Sequence, residues 1–484
     1  MLGSHWGRGV RGAIEPAALR PPAEEDSAAR HIGPRGWIGP DSPLWLVLVA
    51  GLFTLAELTP SLMRLPLGAD EITYIAQTSA HASQIILPPV HSRGAGLLAA
   101  PVTLLTTSLL ALRIWMALLS GAGLFLALLT WRGLRPAWVL AVAGAILGSL
   151  GIAQLSAVQA MPDWWVALGA LTLVGLFLQA VNGRVRPKVV FPLLAAVTFF
   201  LVLMRPQDAA FLLAPVIVAV FLVPAWWDPR LLYAFGAGIV AAAAEWIGEA
   251  YAWYGGPDSR LHMMGQEPPK FGFYFTLPYQ LRVLNGPWYC RPGECTGWDY
   301  PWLTIWWLAL LALVILGVFA VARTSLTSSA IIVVPALSLL AAYTLFVPYA
   351  APRYLLPVIA LLAIPAADGI AWLCAGPRWR VPAVLLTCVF LLVGIVSQQF
   401  VRKNEVADQT AARTLPLTRA NHVRSLGVDP PCVMASSTVA YYLGCGSPWT
   451  GESMREYLNQ TPGGRSAWVR LSLPAIPPHA YVRR

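Results

Sequence analysis

The stretch LWLVLVAGLFTLAELTPSLMRLPLGADEITYIAQ, residues 44–77, decides how the rest of the chain is read. It opens with an apolar run, 44–62, long enough to cross a bilayer. Just beyond that run stand two adjacent carboxylates, Asp70 and Glu71, at the start of a short helical pattern. An Asp at such a start is normally a cap. An acid pair at a membrane surface, facing a polar cavity, is also placed to take a proton from a substrate.

Apolar runs of this length recur along the chain. Hydrophobic residues make up 57% of the 484 and charged residues 12%, and the mean hydropathy is +0.62. Ordinary soluble domains carry about twice that share of charge. The composition excludes a soluble enzyme, a disordered chain and a nucleic-acid binder. Lys and Arg number 33 against 23 Asp and Glu, a net charge of +10, and in a membrane protein such an excess sets topology. Eleven spans are expected, near 44–62, 112–130, 137–153, 163–181, 189–204, 208–223, 231–250, 302–321, 329–347, 354–373 and 381–396.

A twelfth run, 94–110, leads almost directly into the next span. The positive-inside rule decides its role. If it does not cross, Arg132, Arg135, Arg184, Arg186, Lys188, Arg230, Arg323, Arg378 and Arg380 all fall on one side, and the short loops opposite keep only Arg205 and Arg353. If it crosses, the bias inverts. The run is therefore expected to lie on or dip into the outer face, with the N-terminus cytoplasmic and the C-terminus extracytoplasmic. Two cysteine pairs in polar segments, Cys290 with Cys295 and Cys432 with Cys445, then fall outside, where disulfides form. Cys374 and Cys388 sit in apolar runs.

The expected fold is an all-α polytopic membrane protein with a small extracytoplasmic α/β domain at the C-terminal end. Residues 1–43 are read as a disordered cytoplasmic tail. Residues 44–398 form the membrane domain, with outer loops 63–111 and 251–301, and residues 399–484 form the C-terminal domain, whose CVMASSTVAYYLGC reads strand, helix, strand.

Other candidates for chemistry lie on the same expected face. His91 and Arg93 stand in PPVHSRGAG at 88–96, either as a cationic flank for lipid headgroups or as a phosphate or acceptor contact. Asp163, in MPDWW, begins a span, where the helix dipole favours an acid. Arg205 and Asp208, in RPQD, either pair together or leave the arginine to grip a lipid phosphate. Arg353 and Tyr354 begin a span in PRYLLP, and both outer arginines defy the charge bias. At the end of the seventh span stand Glu245 and Glu249, and in the loop beyond it His262 and Glu267. Glu245 and Glu249, one helical turn apart in an apolar setting, suit an ion or proton site or polar glue. The sequence has no P-loop, no dinucleotide fingerprint, no HExxH and no nucleophile elbow.

In order, GADEITYIA, RGAGLLAAPVTLL, ALRIWMALLSGAGLFLALLTWRGLRPAW, MPDWW, RPQD and PRYLLP resemble the GT-C membrane glycosyltransferases, above all the protein O-mannosyltransferases and the lipid A aminoarabinose transferases. The matching features cover most of residues 44–400. The resemblance implies a hexosyl- or pentosyltransferase, mannosyl transfer included, that uses a polyprenyl-phosphate-linked sugar on the outer face. It implies Asp70 as the base that deprotonates an acceptor hydroxyl, supported by Glu71. Arg353, with Arg205 and Tyr354, would hold the donor phosphate, and His91, Arg93, Asp163 and His262 are the candidate substrate contacts. The acceptor is a glycan, glycolipid, protein or natural product. No metal ligands are assigned; metal use varies within the superfamily, so a divalent cation stays open. The competing readings are a multi-pass transporter or lipid flippase coupled through Glu245 and Glu249, and a non-catalytic membrane scaffold.

Overall fold

The structure is a computed structural model. It describes residues 39–79, 87–266, 272–295 and 299–425, and, in the C-terminal stretch, 430, 432–434, 436–447, 468–471 and 480–483. Residues 1–38 of the expected tail, Glu267, and residues 80–86 of the first loop lie outside the described residues.

The chain begins with α1 (Leu44–Glu57), α2 (Pro60–Met63), α3 (Ala69–Ala76) and α4 (Gly94–Thr103). Then follow α5 (Leu109–Leu129), α6 (Ala137–Ser149), α7 (Gly151–Ala157), α8 (Pro162–Val181), α9 (Pro187–Met204), α10 (Pro206–Leu222) and α11 (Pro229–Trp253). Proline opens α8, α9, α10 and α11 at the position where its missing N–H is harmless. Ser108 caps α5 by accepting from the Ala111 N–H at 3.3 Å. Arg205 is the single extended residue between α9 and α10, as the residue before a proline tends to be. That break presents its guanidinium at the end of two helices instead of along a helix side.

The second half comprises α12 (Pro257–Gln266), α13 (Leu277–Val283), α14 (Leu303–Ala322), α15 (Leu326–Leu345), α16 (Leu356–Ala375) and α17 (Arg380–Ser425). A 3-10 turn, Pro352–Leu355, leads into α16. Helix α17 runs 46 residues without a break, about 69 Å at 1.5 Å per residue, so it passes through the expected 398/399 boundary as one rod.

Among the described residues eight helices are long and apolar enough to cross a membrane, or nine when the pair α6–α7, bent by 81°, counts as one span. The remaining two of the eleven expected runs form shorter apolar helices, α1 with 14 residues and α10 with 17. The 94–110 run forms the ten-residue α4, about 15 Å long and too short to cross some 30 Å of hydrocarbon.

Helices α8 and α16 are buried along most of their length. Helices α11, α14 and α17 keep most of their apolar residues on the surface, as lipid-facing helices do. Helices α14 and α16 cross closely because both present glycine: a Cβ on Gly317 would collide with the Pro365 carbonyl, and one on Gly369 with the Leu313 carbonyl. At the end of the bundle away from Asp70, Arg135 Nε donates to both oxygens of Asp368 at 2.7 and 3.0 Å.

After α17 come β1 (Cys432–Met434), α18 (Ser437–Leu443), β2 (Trp468–Leu471) and β3 (Ala480–Arg483). The strands form an antiparallel sheet of order β1-β3-β2. Helix α18 packs on both α3 and α17. Both polar cysteine pairs are bonded, Cys290–Cys295 and Cys432–Cys445, and Cys374 and Cys388 are free.

Candidate functional site

Asp70 and Glu71 are neighbours in the first turn of α3, yet the helix aims them in different directions. Glu71 is buried. It makes a two-pronged ion pair with Arg113, through Nη1 to Oε1 and Nη2 to Oε2, the latter at 2.9 Å. The Ala160 N–H donates to it at 2.9 Å, the Gly68 N–H at 3.4 Å, and Arg413 lies 3.8 Å away. Arg113 is wholly buried and also donates to the Leu65 and Val158 carbonyls. Burial works to raise the Glu71 carboxyl, but Arg113, Arg413 and the Ala160 amide outweigh it and hold it below the usual range. The Glu71 oxygens are committed to α5, the turn before α8 and α17, so Glu71 fixes where α3 sits.

Asp70 has its side chain 55% exposed and stands 3.7 Å from Arg353 Nη2. Arg353 in turn lies 3.8 Å from Asp163, which is buried at the start of α8. Asp163 Oδ1 also lies 3.1 Å from Arg205 Nη1. One carboxylate thus sits between two arginines brought from a helix break and a 3-10 turn. Tyr354 lies beside both: Arg205 is 5.1 Å and Arg353 5.3 Å from its ring centroid, which favours cations over the ring face. Its ring stacks on Tyr343 at 4.9 Å, and its hydroxyl bonds Tyr349 at 2.7 Å.

The two arginines differ in how far they are occupied. Arg205 donates to Tyr343 Oη at 3.1 Å and lies 3.6 Å from Asp208, whose Oδ2 accepts from the Tyr343 hydroxyl at 2.5 Å. Arg353 has a buried Nε without a hydrogen-bond partner, and neither Asp163 oxygen has one. Trp288 lies beneath the Arg353 guanidinium, 5.3 Å from ring centroid to Cζ.

His91 packs edge-on against Tyr74 of α3, ring centroids 5.2 Å apart. Burial holds its ring below the usual histidine range, against the pull of Asp70. Two other sequence candidates do not join the Asp70–Arg353 group. Arg93 turns the other way, 3.4 Å from Glu249 and 3.8 Å from Glu245. His262 lies on the exposed face of α12 and bonds Gln266 at 2.9 Å. Arg93 thus faces the carboxylates of α11, and His262 makes a local bond within α12.

Glu249 carries a second buried pair with Arg260 at 2.8 Å. Arg260 also donates to the Pro89, His91 and Trp246 carbonyls and lies 4.7 Å from the rings of Trp246 and Tyr254. This arginine ties the 87–93 loop to α11 and α12. The coupling carboxylates of the transporter reading are thereby both in ion pairs. Among the described residues, no group of three His, Cys, Asp or Glu side chains is arranged to hold a metal ion.

Sequence reasoning passed over Arg113, Tyr343, Trp288 and Arg413. Arg113 carried a usable signal: a charge within an apolar run demands a buried partner. The aromatic residues carried none, since most Trp and Tyr in such a chain form interfacial belts.

This bundle, with its polar cluster at one end, has the fold of the GT-C membrane transferases. The chain is similar in structure to ArnT from Cupriavidus metallidurans bound to undecaprenyl phosphate, with a TM-score of 0.56 and 16% identity over 85% of each chain. Against the apo state of the same ArnT the TM-score is 0.50, with 14% identity and the same coverage of both chains. Against the apo oligosaccharyltransferase of Archaeoglobus fulgidus it is 0.47, with 12% identity over 76% of this chain and 56% of that one. No protein-family model matches the sequence, and no curated protein matches it.

Proposed function

We propose that the protein is a membrane glycosyltransferase that moves a sugar from a polyprenyl-phosphate donor to an acceptor hydroxyl on the extracytoplasmic face, with inversion. The observation that carries this reading is the exposed Asp70 carboxylate set 3.7 Å from Arg353, itself backed by Asp163 and Arg205. ArnT, which shares the fold, is bound to undecaprenyl phosphate in its crystal structure, and a polyprenyl phosphate suits the paired arginines Arg353 and Arg205.

The chemistry follows from charge. The donor is a phosphodiester with one negative charge; the departing lipid phosphate carries two. Arg353, and behind it Arg205, would stabilise the charge that develops as the anomeric C–O bond breaks. The acceptor oxygen forms the new bond to the anomeric carbon, through an oxocarbenium-like transition state, and its proton passes to Asp70. The electron pair of the broken bond stays on the phosphate oxygen, so no general acid is required. A donor phosphate at Arg353 would compete with Asp70 for the guanidinium. The base would then be released from its ion pair only when donor is present.

The test is transfer of label from a panel of radiolabelled polyprenyl-phosphate sugars in membranes that carry wild type or D70N. Transfer by wild type and none by D70N supports the reading. Equal transfer by both removes Asp70 as the base, and no transfer from any donor removes the enzyme class.

A further inference from the structure

Helix α17 carries a polar stripe at helical spacing: Gln398, Arg402, Glu405, Gln409 and Arg413. Residues so spaced share one face, and here the face is turned inward. Its ends make hydrogen bonds to neighbouring segments, although Gln398 Nε2 is left without a partner. Gln398 Oε1 accepts from the Gly151 N–H at 3.4 Å, and Arg402 donates to Gln154 Oε1 at 2.7 Å. At the far end Arg413 donates to the Pro66 carbonyl at 3.0 Å and to Gln159 Oε1 at 3.3 Å. Between them Val406 packs with Leu155 and Val158. Those contacts fix the register of α17 and bracket Glu405 and Gln409 between partners drawn from residues 151–159.

The middle of the stripe is different. Glu405, Gln409, Ser156 and Gln159 are each more than nine-tenths buried. Yet Glu405 Oε1, both side-chain polar atoms of Gln409, Ser156 Oγ and Gln159 Nε2 have no hydrogen-bond partner. Folded proteins leave few such atoms unmatched, because each costs desolvation without return. The unmatched atoms include both donors and acceptors, which is what a polyhydroxylated ring requires. The place is not isolated from the candidate site. Helix α7 packs on the Pro352–Leu355 turn, and Trp288 packs against the Val406 cluster and lies under Arg353.

We infer that Glu405 and Gln409 form, with Gln159, a subsite that takes the hydroxyl-bearing sugar ring of the donor while Arg353 holds its phosphate. This rests on the transferase reading above and extends it to specificity. Glu405 would accept from ring hydroxyls and Gln409 would both donate and accept.

The experiment measures binding, without acceptor, of undecaprenyl phosphate alone and of undecaprenyl-phosphate-linked hexoses and pentoses, to wild type, E405Q and Q409M in detergent. Wild type is expected to bind one sugar-bearing lipid more tightly than the bare lipid. Each variant should lose about tenfold or more of that affinity, the loss expected for a hydrogen bond to a charged or buried group. Binding of undecaprenyl phosphate alone should stay within about twofold. Thermal melting should be unchanged or raised in Q409M, which replaces two unmatched polar atoms with an apolar side chain of similar size. Equal losses for both lipids, or a fall in melting temperature with no selective loss, would make the stripe structural and overturn the subsite while leaving the transferase reading standing. Wild type that binds neither lipid would remove both.

Discussion

Asp70 and Glu71 are separated by one peptide bond and belong to two kinds of electrostatic environment. Around Glu71, as around Glu249, the carboxylate meets a fully buried arginine whose remaining donors go to backbone carbonyls. Around Asp70 the cations stand at 3.1 to 3.8 Å from their carboxylates, and Asp163 and Arg353 keep buried atoms without hydrogen-bond partners. Saturation separates struts from working groups. A buried ion pair with every atom committed holds elements in place and has nothing left for a ligand. An under-committed cluster is costly to the fold, and a ligand that completes it offsets that cost.

Substitution at the two neighbours is the strongest way to break this contrast. D70N should lower transfer by roughly 10²–10⁴-fold, the usual contribution of a positioned base, with no change in thermal melting because the side chain is exposed. A melting shift as large as that of a core substitution would place Asp70 with the struts. E71Q should do the reverse. It leaves Arg113 buried opposite a neutral partner, a loss of about 3–5 kcal/mol for a broken buried pair, read as poor recovery and early melting in detergent.

Arg353 and Arg205 sharpen the contrast within the site. R353K keeps the charge but loses the planar fork, and donor KM should rise about tenfold with little change in melting. R205K should show the larger melting loss of the two, because Arg205 is tied to Asp163 and Tyr343. A smaller effect concerns pH. The Glu71 carboxyl is held low, so its contribution is present above the unfolded value near 4.3 and disappears as pH falls through the lower folded value. His91 is also held low, so the native state resists its protonation. Stability should decline as pH drops below about 6.5, and H91Q should flatten that part of a melting-temperature profile. The smallest expected effect is that of H262A, within about twofold of wild type in transfer, since His262 faces outward to Gln266.

The residues legible from sequence were those whose chemistry contradicted their surroundings. Arg205 and Arg353 stood against the charge bias, and Asp163 opened an apolar helix; Asp163 lies within 3.8 Å of both arginines, and Arg353 lies 3.7 Å from Asp70. The apolar runs were legible from hydropathy, although α1 is shorter than the 44–62 run because the chain breaks at Leu58. Which side Arg93 and His262 take was not legible, because their partners come from tertiary packing: Arg93 lies against Glu245 and Glu249 of α11, and His262 bonds Gln266 within α12. The neutral members of the site, Tyr343 and Gln409, have no local signature at all: a tyrosine at a span end and a glutamine on a long helix become informative only when neighbours from distant segments surround them.

The unbroken course of α17 has one further consequence, a matter of phase. The helix carries the stripe Gln398–Arg413 in the same rod as its apolar lower half, so the azimuth of every polar group at the Asp70 end is set by packing much lower down. One residue inserted near 399 would turn Glu405, Gln409 and Arg413 by about 100° away from α7 and α3. Seven inserted residues would nearly restore the angle, to within about 20°, but lift the stripe by roughly 10 Å. The site therefore tolerates neither a slipped nor a lengthened helix, and along α17 length and rotation act as a single constraint on which side chains meet the candidate donor.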